Sequence, residues 1–144
     1  MYSKVKRFMG IILALSIACA LAIPAFAATP RASDYFAETE VWATRTGSGK
    51  FIVEFDIAAS HTMRELGAKE ITIWERQANG SYEEVETFTR YNTSGLMDTN
   101  CAVAYGKITY DGTVGTKYYA TVALYAKDAN GNETLYCDTN VITA

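Results

Sequence analysis

Along "KFIVEFDIAA", Phe51, Val53, Phe55 and Ile57 share one face of an extended chain while Lys50, Glu54 and Asp56 take the other. That period of two buries one row of side chains and leaves the other outside. Segments rich in Val, Ile, Thr, Tyr and Phe recur to the C-terminus with turn signals between them, and no long helical period appears. The pattern predicts an all-β chain. "AETEVWATRT" is the first strand, turned back by "TGSGK" into "KFIVEFDIAA". "EITIWER" and "YEEVETFT" are joined at Asn79-Gly80, and "YNTSGLMDTN" leads into "CAVAYGKITY". "KYYATVALYA" and "ETLYCDTNVIT" meet at Asn130-Gly131. Asn-Gly tolerates the positive φ angles of a tight hairpin, and seven such strands predict an antiparallel β-sandwich. One break is expected. In "HTMRELGAKE" the spacing Thr62-x-x-Glu65 forms a capping box and Gly67 stops it, which predicts one short helical turn between the second and third strands. Met63 and Leu66 are placed to plug the end of the core. Proline is absent after Pro30, so edge strands must be protected by charge or bulges.

The opening residues are of another kind. Lys4, Lys6 and Arg7 precede an apolar run from Met9 to Ile23, and Ala25-Phe26-Ala27 offers a small-residue cleavage site. This is the pattern of an export signal over residues 1–27. The run is shorter than the ~20 residues that span a bilayer, so the expected product is secreted, with no stable membrane insertion. An uncleaved anchor and lipidation at Cys19 are the alternatives, and "SIAC" carries Ser16 where a leucine is usual. Residues 28–37 then read as an N-terminal extension and residues 38–144 as the sandwich domain. Beyond Ala27 lie all sixteen acidic residues and ten of the thirteen basic ones, which moves the net charge from −3 to −6. An acidic surface repels nucleic acid and anionic membranes unless a local patch overrides the mean field. An oxidising exterior permits Cys101 and Cys137 to pair, a link that stabilises by about 4 kcal/mol on the chain-entropy estimate. Two buried free thiols are the other reading.

The stretch "YDGTVGTKYYATVALYAKDANGNETLYCDTNVIT" resembles the last strands of fibronectin type III-like, immunoglobulin-like domains. Gly115-Thr116-Lys117-Tyr118 matches their turn, Ala126 the end of the alternating strand, and Gly131 the hairpin. Tyr118 resembles their tyrosine-corner residue. The N-terminal half, "RASDYFAETEVWATRTGSGKFIVEFDIAASHTMRELGAKEITIWER", is similar to small secreted proteins of Gram-positive bacteria that have no assigned function. The first resemblance implies a sandwich used for binding and spacing, the second a bacterial exterior, and neither brings a catalytic residue.

The remaining motifs reduce to structure. "YAKDANGNETLY" alternates Asp128, Asn130 and Asn132 as a calcium loop does, but such a loop needs Gly at its sixth place and Glu at its twelfth. Here Gly131 is fourth, Glu133 sixth and Thr139 twelfth, so a hairpin is expected. In "TGSGK" a strand, not a helix, follows Lys50, against the phosphate-loop pattern. His61 is the sole histidine, has no Gly-x-Ser-x-Gly elbow to serve, and adjoins Ser60 too closely to pair with it as base and nucleophile. It reads as a loop residue. Glu84 and Glu86 alternate on one strand face instead of flanking a cleft. The sequons at Asn92 and Asn132 matter only in a eukaryotic secretory pathway. No catalytic residue, metal ligand set or cofactor is expected, and the chain does not read as an enzyme.

The aromatic pattern carries the functional expectation. If Ile71 and Ile73 face the core, Thr72, Trp74 and Arg76 face out; if Tyr118, Ala120, Val122 and Leu124 face in, Tyr119, Thr121 and Tyr125 face out. A two-residue turn at Asn130-Gly131 sets Tyr125 opposite Tyr136. Trp74, Tyr119, Tyr125 and Tyr136 then form one exposed platform, and contiguous exposed aromatics mark contact surfaces. Cross-strand stabilisation of the sheet, or burial through a register shift, is the competing reading. The expectation is a secreted, non-catalytic binding module for a glycan or a cell-surface protein. Its alternative is a structural or self-assembling cell-surface protein without a ligand pocket.

Overall fold

The computed structural model describes residues Ser33–Ala144. The expected signal, Cys19 and the start of the N-terminal extension lie outside the described residues. Among the described residues there is no helix, and seven strands make one hydrogen-bonded antiparallel sheet: β1 (Phe36–Arg45), β2 (Lys50–Arg76), β3 (Tyr82–Thr89), β4 (Met97–Asp111), β5 (Lys117–Lys127), β6 (Asn132–Asp138) and β7 (Ile142–Thr143). The sheet curls like a half-barrel.

Strand β2 organises the rest. At about 3.3 Å per residue its 27 residues would reach about 90 Å if straight, far beyond a domain of this size. It changes partners midway. Phe51–Ala59 pair with β1 on one side and Lys50–Ala58 with β4 on the other, whereas Glu65–Glu75 pair with β5 and Glu70–Arg76 with β3. At Glu65–Gly67 both β4 and β5 are partners. The bend falls just before, where the β4 register jumps between Ala58 and Met63.

The expected helical turn at Thr62–Glu65 is therefore not present; the second and third expected strands are one strand. A capping box satisfies two amides, but from Met63 onward β4, and from Glu65 onward β5, offer this stretch ladder partners that a helical turn would forfeit. Glu65 spends its carboxylate on Arg90 and Lys127 instead of on a helix end. Gly67 does not stop a helix. It lies at φ 155°, and a Cβ there would overlap the Leu96 carbonyl, which accepts the Ala68 N–H at 2.6 Å. Strand β4 starts at Met97, inside the expected polar connection, because Met97–Thr99 pair with Glu65–Gly67.

The alternating rows meet in the core. Phe51, Val53, Phe55 and Ile57 from the first half of β2 are buried with Ile71 and Ile73 from its second half and Tyr118, Ala120, Val122 and Leu124 from β5. The Phe51 ring lies 5.3 Å from those of both Tyr110 and Tyr118. Since β5 pairs only with the second half of β2, that contact closes the curl. The Tyr118 hydroxyl accepts the Thr113 N–H at 2.9 Å and donates to Glu75 Oε2 at 2.6 Å. Burial, then Glu75, pushes its pKa up.

The expected last strand is broken into β6 and β7. Thr139, between them, exchanges bonds with Ala120: its N–H donates to the carbonyl at 2.9 Å and its hydroxyl accepts the amide at 3.0 Å. The Asn140 side-chain amide then pairs with both backbone groups of Ala43, at 2.9 and 3.0 Å. Cys101 and Cys137, the possible disulfide partners, both carry free thiols. The first sits on β4 opposite Met63, the second on β6 opposite Val122, and their strands do not pair. Burial raises both thiol pKa values.

Two outcomes follow from this packing. Gly67→Ala should destabilise the chain by about 3 kcal/mol or more, as backbone overlaps do; urea unfolding with less than about 0.5 kcal/mol lost would mean that Leu96 simply moves aside. Alkylation of the unfolded, unreduced chain cleaved after Ala27 should label both remaining thiols, and an unlabelled pair would restore the disulfide.

Candidate functional site

The outer face of β2, β5 and β6 is laid out in rows by their registers. Trp74 stands opposite Tyr119, Thr72 opposite Thr121, and Thr121 opposite Asp138. The Trp74 and Tyr119 rings stack with centroids 6.1 Å apart at 12°, and Tyr82 of β3 meets Tyr119 edge-on at 4.8 Å and 76°. All three are half-buried. The indole Nε1 of Trp74 donates to Thr121 Oγ1 at 3.0 Å, and that hydroxyl donates to Asp138 Oδ1 at 2.6 Å. The indole plane is thus fixed by a chain of oriented donors. Tyr82 was not among the expected residues: a two-residue turn at Asn79-Gly80 would set it opposite Gln77, whereas it pairs with Arg76, on the same face as Trp74.

The other two platform residues are placed differently. Asp128 Oδ1 accepts the Asn130 N–H at 2.6 Å and the Gly131 N–H at 2.9 Å, and the Asp128 N–H donates to the Gly131 carbonyl at 3.0 Å. These bonds widen the turn to Asp128–Gly131, so Lys127 pairs with Asn132. Relative to the expected two-residue turn, the register slips by two. Tyr136 faces Ala123, and Tyr125 faces Thr134. A slip of two keeps every side chain on its face, and Tyr136 remains 70% exposed. Tyr125 does not: it is 6% exposed, with Lys69 Nζ 4.3 Å and Arg90 Cζ 5.6 Å from its ring centroid. The single platform resolves into a three-ring cluster, an isolated Tyr136 about 13 Å further along β5, and a Tyr125 roofed by cations.

The roof is an ion cluster. Arg90 Nη1 lies 2.6 Å from Glu65 Oε2 and Lys127 Nζ 3.2 Å from Glu65 Oε1. Arg90 Nη2 donates to the Tyr91 hydroxyl at 2.9 Å. The Arg90 hydrogen bond, followed by that from Lys127, lowers the Glu65 pKa.

His61 lies within β2, not in a loop, and its ring spans two partners. Nδ1 is 3.0 Å from Ser60 Oγ and Nε2 is 3.1 Å from Asp128 Oδ2. Serine, histidine and aspartate in a row invite comparison with a hydrolytic triad. The proton count argues against it, because the Ser60 hydroxyl donates to the Asp34 carbonyl at 2.8 Å and so offers the imidazole a lone pair. The His61 side chain is 51% exposed. The row braces the bend of β2 against the β5–β6 turn. Among the described residues no three His, Cys, Asp or Glu side chains cluster as metal ligands.

On the first half of the sheet, Glu54 accepts from Trp42 Nε1 at 2.9 Å and from the Tyr105 hydroxyl at 2.6 Å. Glu38, Glu40 and Asp56 line a shallow depression beside them. That face is acidic, and the cation-rich corner described above lies on the other half.

Asp128 sets a pH dependence. The Asn130 amide, with His61 and Gly131 behind it, lowers its pKa from 3.8 to about 2. A depressed carboxyl contributes stability that is complete above its unfolded pKa and fades as pH falls through the folded value. Melting curves between about pH 5 and about pH 2 should therefore fall more steeply for the parent than for Asp128→Ala; parallel curves would remove Asp128 as a source of acid sensitivity.

No family model matches this chain, and none of the curated proteins does. Among solved structures, it is similar to one titled Northeast Structural Genomics Consortium target SoR45, at 13% identity and TM-score 0.36, covering 73% of this chain and 83% of that one. It is also similar to a family 76 glycoside hydrolase from a bovine Bacteroides thetaiotaomicron strain, at 15% identity and TM-score 0.33 over 74% of this chain. It spans only 20% of that hydrolase. Likenesses this distant say nothing of activity.

Proposed function

We propose that the chain is a secreted, non-catalytic module that binds a glycan through the outer face of β2, β5 and β6. The observation that carries this is the Tyr82–Tyr119–Trp74 cluster beside the Thr121–Asp138 pair. Aromatic faces accept the apolar face of a sugar ring, and a carboxylate with a hydroxyl alongside answers the hydroxyls at its rim. The indole is held in place before any ligand arrives, which lowers the ordering cost of binding.

For the scaffold we propose a fibronectin type III-like sandwich. Three strands gather about the first half of β2 and five about its second half, counting β2 in each, a division that suits two facing sheets. The bond from Thr113 back to the Tyr118 hydroxyl has the form of a tyrosine corner. Export is supported by the basic and apolar pattern of residues 1–27. The non-catalytic reading rests on the Ser60 proton pointing to Asp34 and on the exposure of His61.

A second reading, self-assembly, is favoured by β4. Its only partner among the described strands is β2, so one edge is open, and Val103 and Tyr105 are 62% and 48% exposed on it. Open edges accept added strands.

Titration with soluble polysaccharides, followed by tryptophan emission, tests the first reading. Trp74→Ala should weaken binding about tenfold, ~1.4 kcal/mol, while Trp42→Phe leaves it intact. Equal binding by Trp74→Ala, or no response to any polysaccharide, would overturn it. Sedimentation across concentrations tests the second: a reversible oligomer lost on Val103→Lys supports it, and a strict monomer removes it.

A further inference from the structure

We infer that the corner formed by Lys69 and Arg90 recognises a carboxylate, so that the ligand of this face is an acidic oligosaccharide carrying a uronate-type sugar. The inference rests on the glycan-binding reading above and adds the chemical class of ligand.

The local charge is the first ground. Lys69, Arg90 and Lys127 gather where Glu65 is the one carboxylate bonded to them, in a chain with an acidic excess. Arg90 and Lys127 share Glu65. Lys69 does not: its ammonium has three donors, its hydrogen bond goes to Thr134 Oγ1 at 3.2 Å, and no carboxylate lies within ion-pair distance among the described residues. Lys69 is nevertheless half-buried.

Geometry is the second ground. The register shifts between Ala68 and Glu70, a bulge that re-aims Lys69 onto Tyr125. Lys69 and Arg90 thus converge on one ring, and the two cations are no further apart than the sum of their distances to it. An anion seated between them would be attracted by both. They line a depression of about 210 Å³ together with Glu70, Thr89 and Tyr91. Tyr91 is 85% exposed, and Arg90 lies over its ring at 5.0 Å, which gives the depression an aromatic wall. The volume suits a single ring-sized group.

Position is the third. Tyr119 and Tyr125 share the outer face of β5 six residues apart, about 20 Å, with Tyr136 between them on β6. An extended oligosaccharide stacked on Trp74 and Tyr119 would pass Tyr136 and end at Lys69. Charge limits what that ligand can be. Glu70 in the lining, with Glu83, Glu84, Glu86 and Asp138 nearby on β3 and β6, repels a densely charged polyanion. One carboxylate on a largely neutral end group fits, and a nucleic acid does not.

Calorimetric titration of the chain cleaved after Ala27 tests this, with a tetramer made of three neutral sugars ending in one galacturonic acid, and the methyl ester of the same tetramer, as probes. The acid should bind at least tenfold more tightly than the ester, and the preference should shrink as salt rises. In Lys69→Met it should vanish, and in Lys69→Arg it should persist. Equal binding of acid and ester, with both lost on Trp74→Ala, would overturn the carboxylate inference and leave the binding face standing. No binding of either tetramer or of any neutral glycan would overturn both. If Lys69→Met failed to fold, the acid-to-ester ratio and its salt dependence in the unaltered chain would decide alone.

Discussion

The chain is arranged around the obligation to satisfy the backbone of β2 on both sides while it bends. A strand of this length in so small a domain must change direction, and each change exposes amides and carbonyls that need partners. The molecule meets this at Glu65–Gly67 by bringing β4 and β5 to opposite flanks of the same residues. Gly67 then admits the Leu96 carbonyl where any side chain would exclude it. Because β5 is placed by that crossing, so are Tyr119, Tyr125 and, through β6, Tyr136.

Charge around the crossing follows the same logic. Glu65 sits at the pivot and holds cations from two other parts of the chain, Arg90 beyond β3 and Lys127 at the end of β5. Asp128, one residue on, turns β5 into β6 and reaches back through His61 to the bend. Neither carboxylate is deeply buried, so each counts more for the geometry it imposes than for its Coulomb energy. The rows on the outer face inherit their spacing from these two residues.

What the sequence revealed was parity. The alternation of Phe51 to Ile57 and of Tyr118 to Leu124 assigned the core rows, since side-chain direction depends only on strand period. The same parity put Trp74, Tyr119 and Tyr136 on the outer face, where they lie. Register was less legible. Asn130-Gly131 signals a two-residue turn, but Asp128 captures the turn amides and adds two residues, a choice made by one carboxylate oxygen. The helical turn was misjudged because Thr62-x-x-Glu65 is a local signal, and the strands that outcompete it come from distant parts of the chain. Tyr125 was placed on the correct face, but the cations that cover it come from a bulge at Lys69 and a loop at Arg90, which no periodicity marks.

The Asn140 amide, bonded to both backbone groups of Ala43, joins the first strand to the segment between β6 and β7, about a hundred residues on. It acts as a one-residue strand made of side chain. Its consequence is kinetic: contacts between such distant points give a high contact order, and the loops they close must form before any of them is rewarded. The first strand has no complete set of partners until Asn140 has been synthesised. A nascent chain of this design stays threadable until Asn140 can reach Ala43, which is compatible with the passage across a membrane proposed for it.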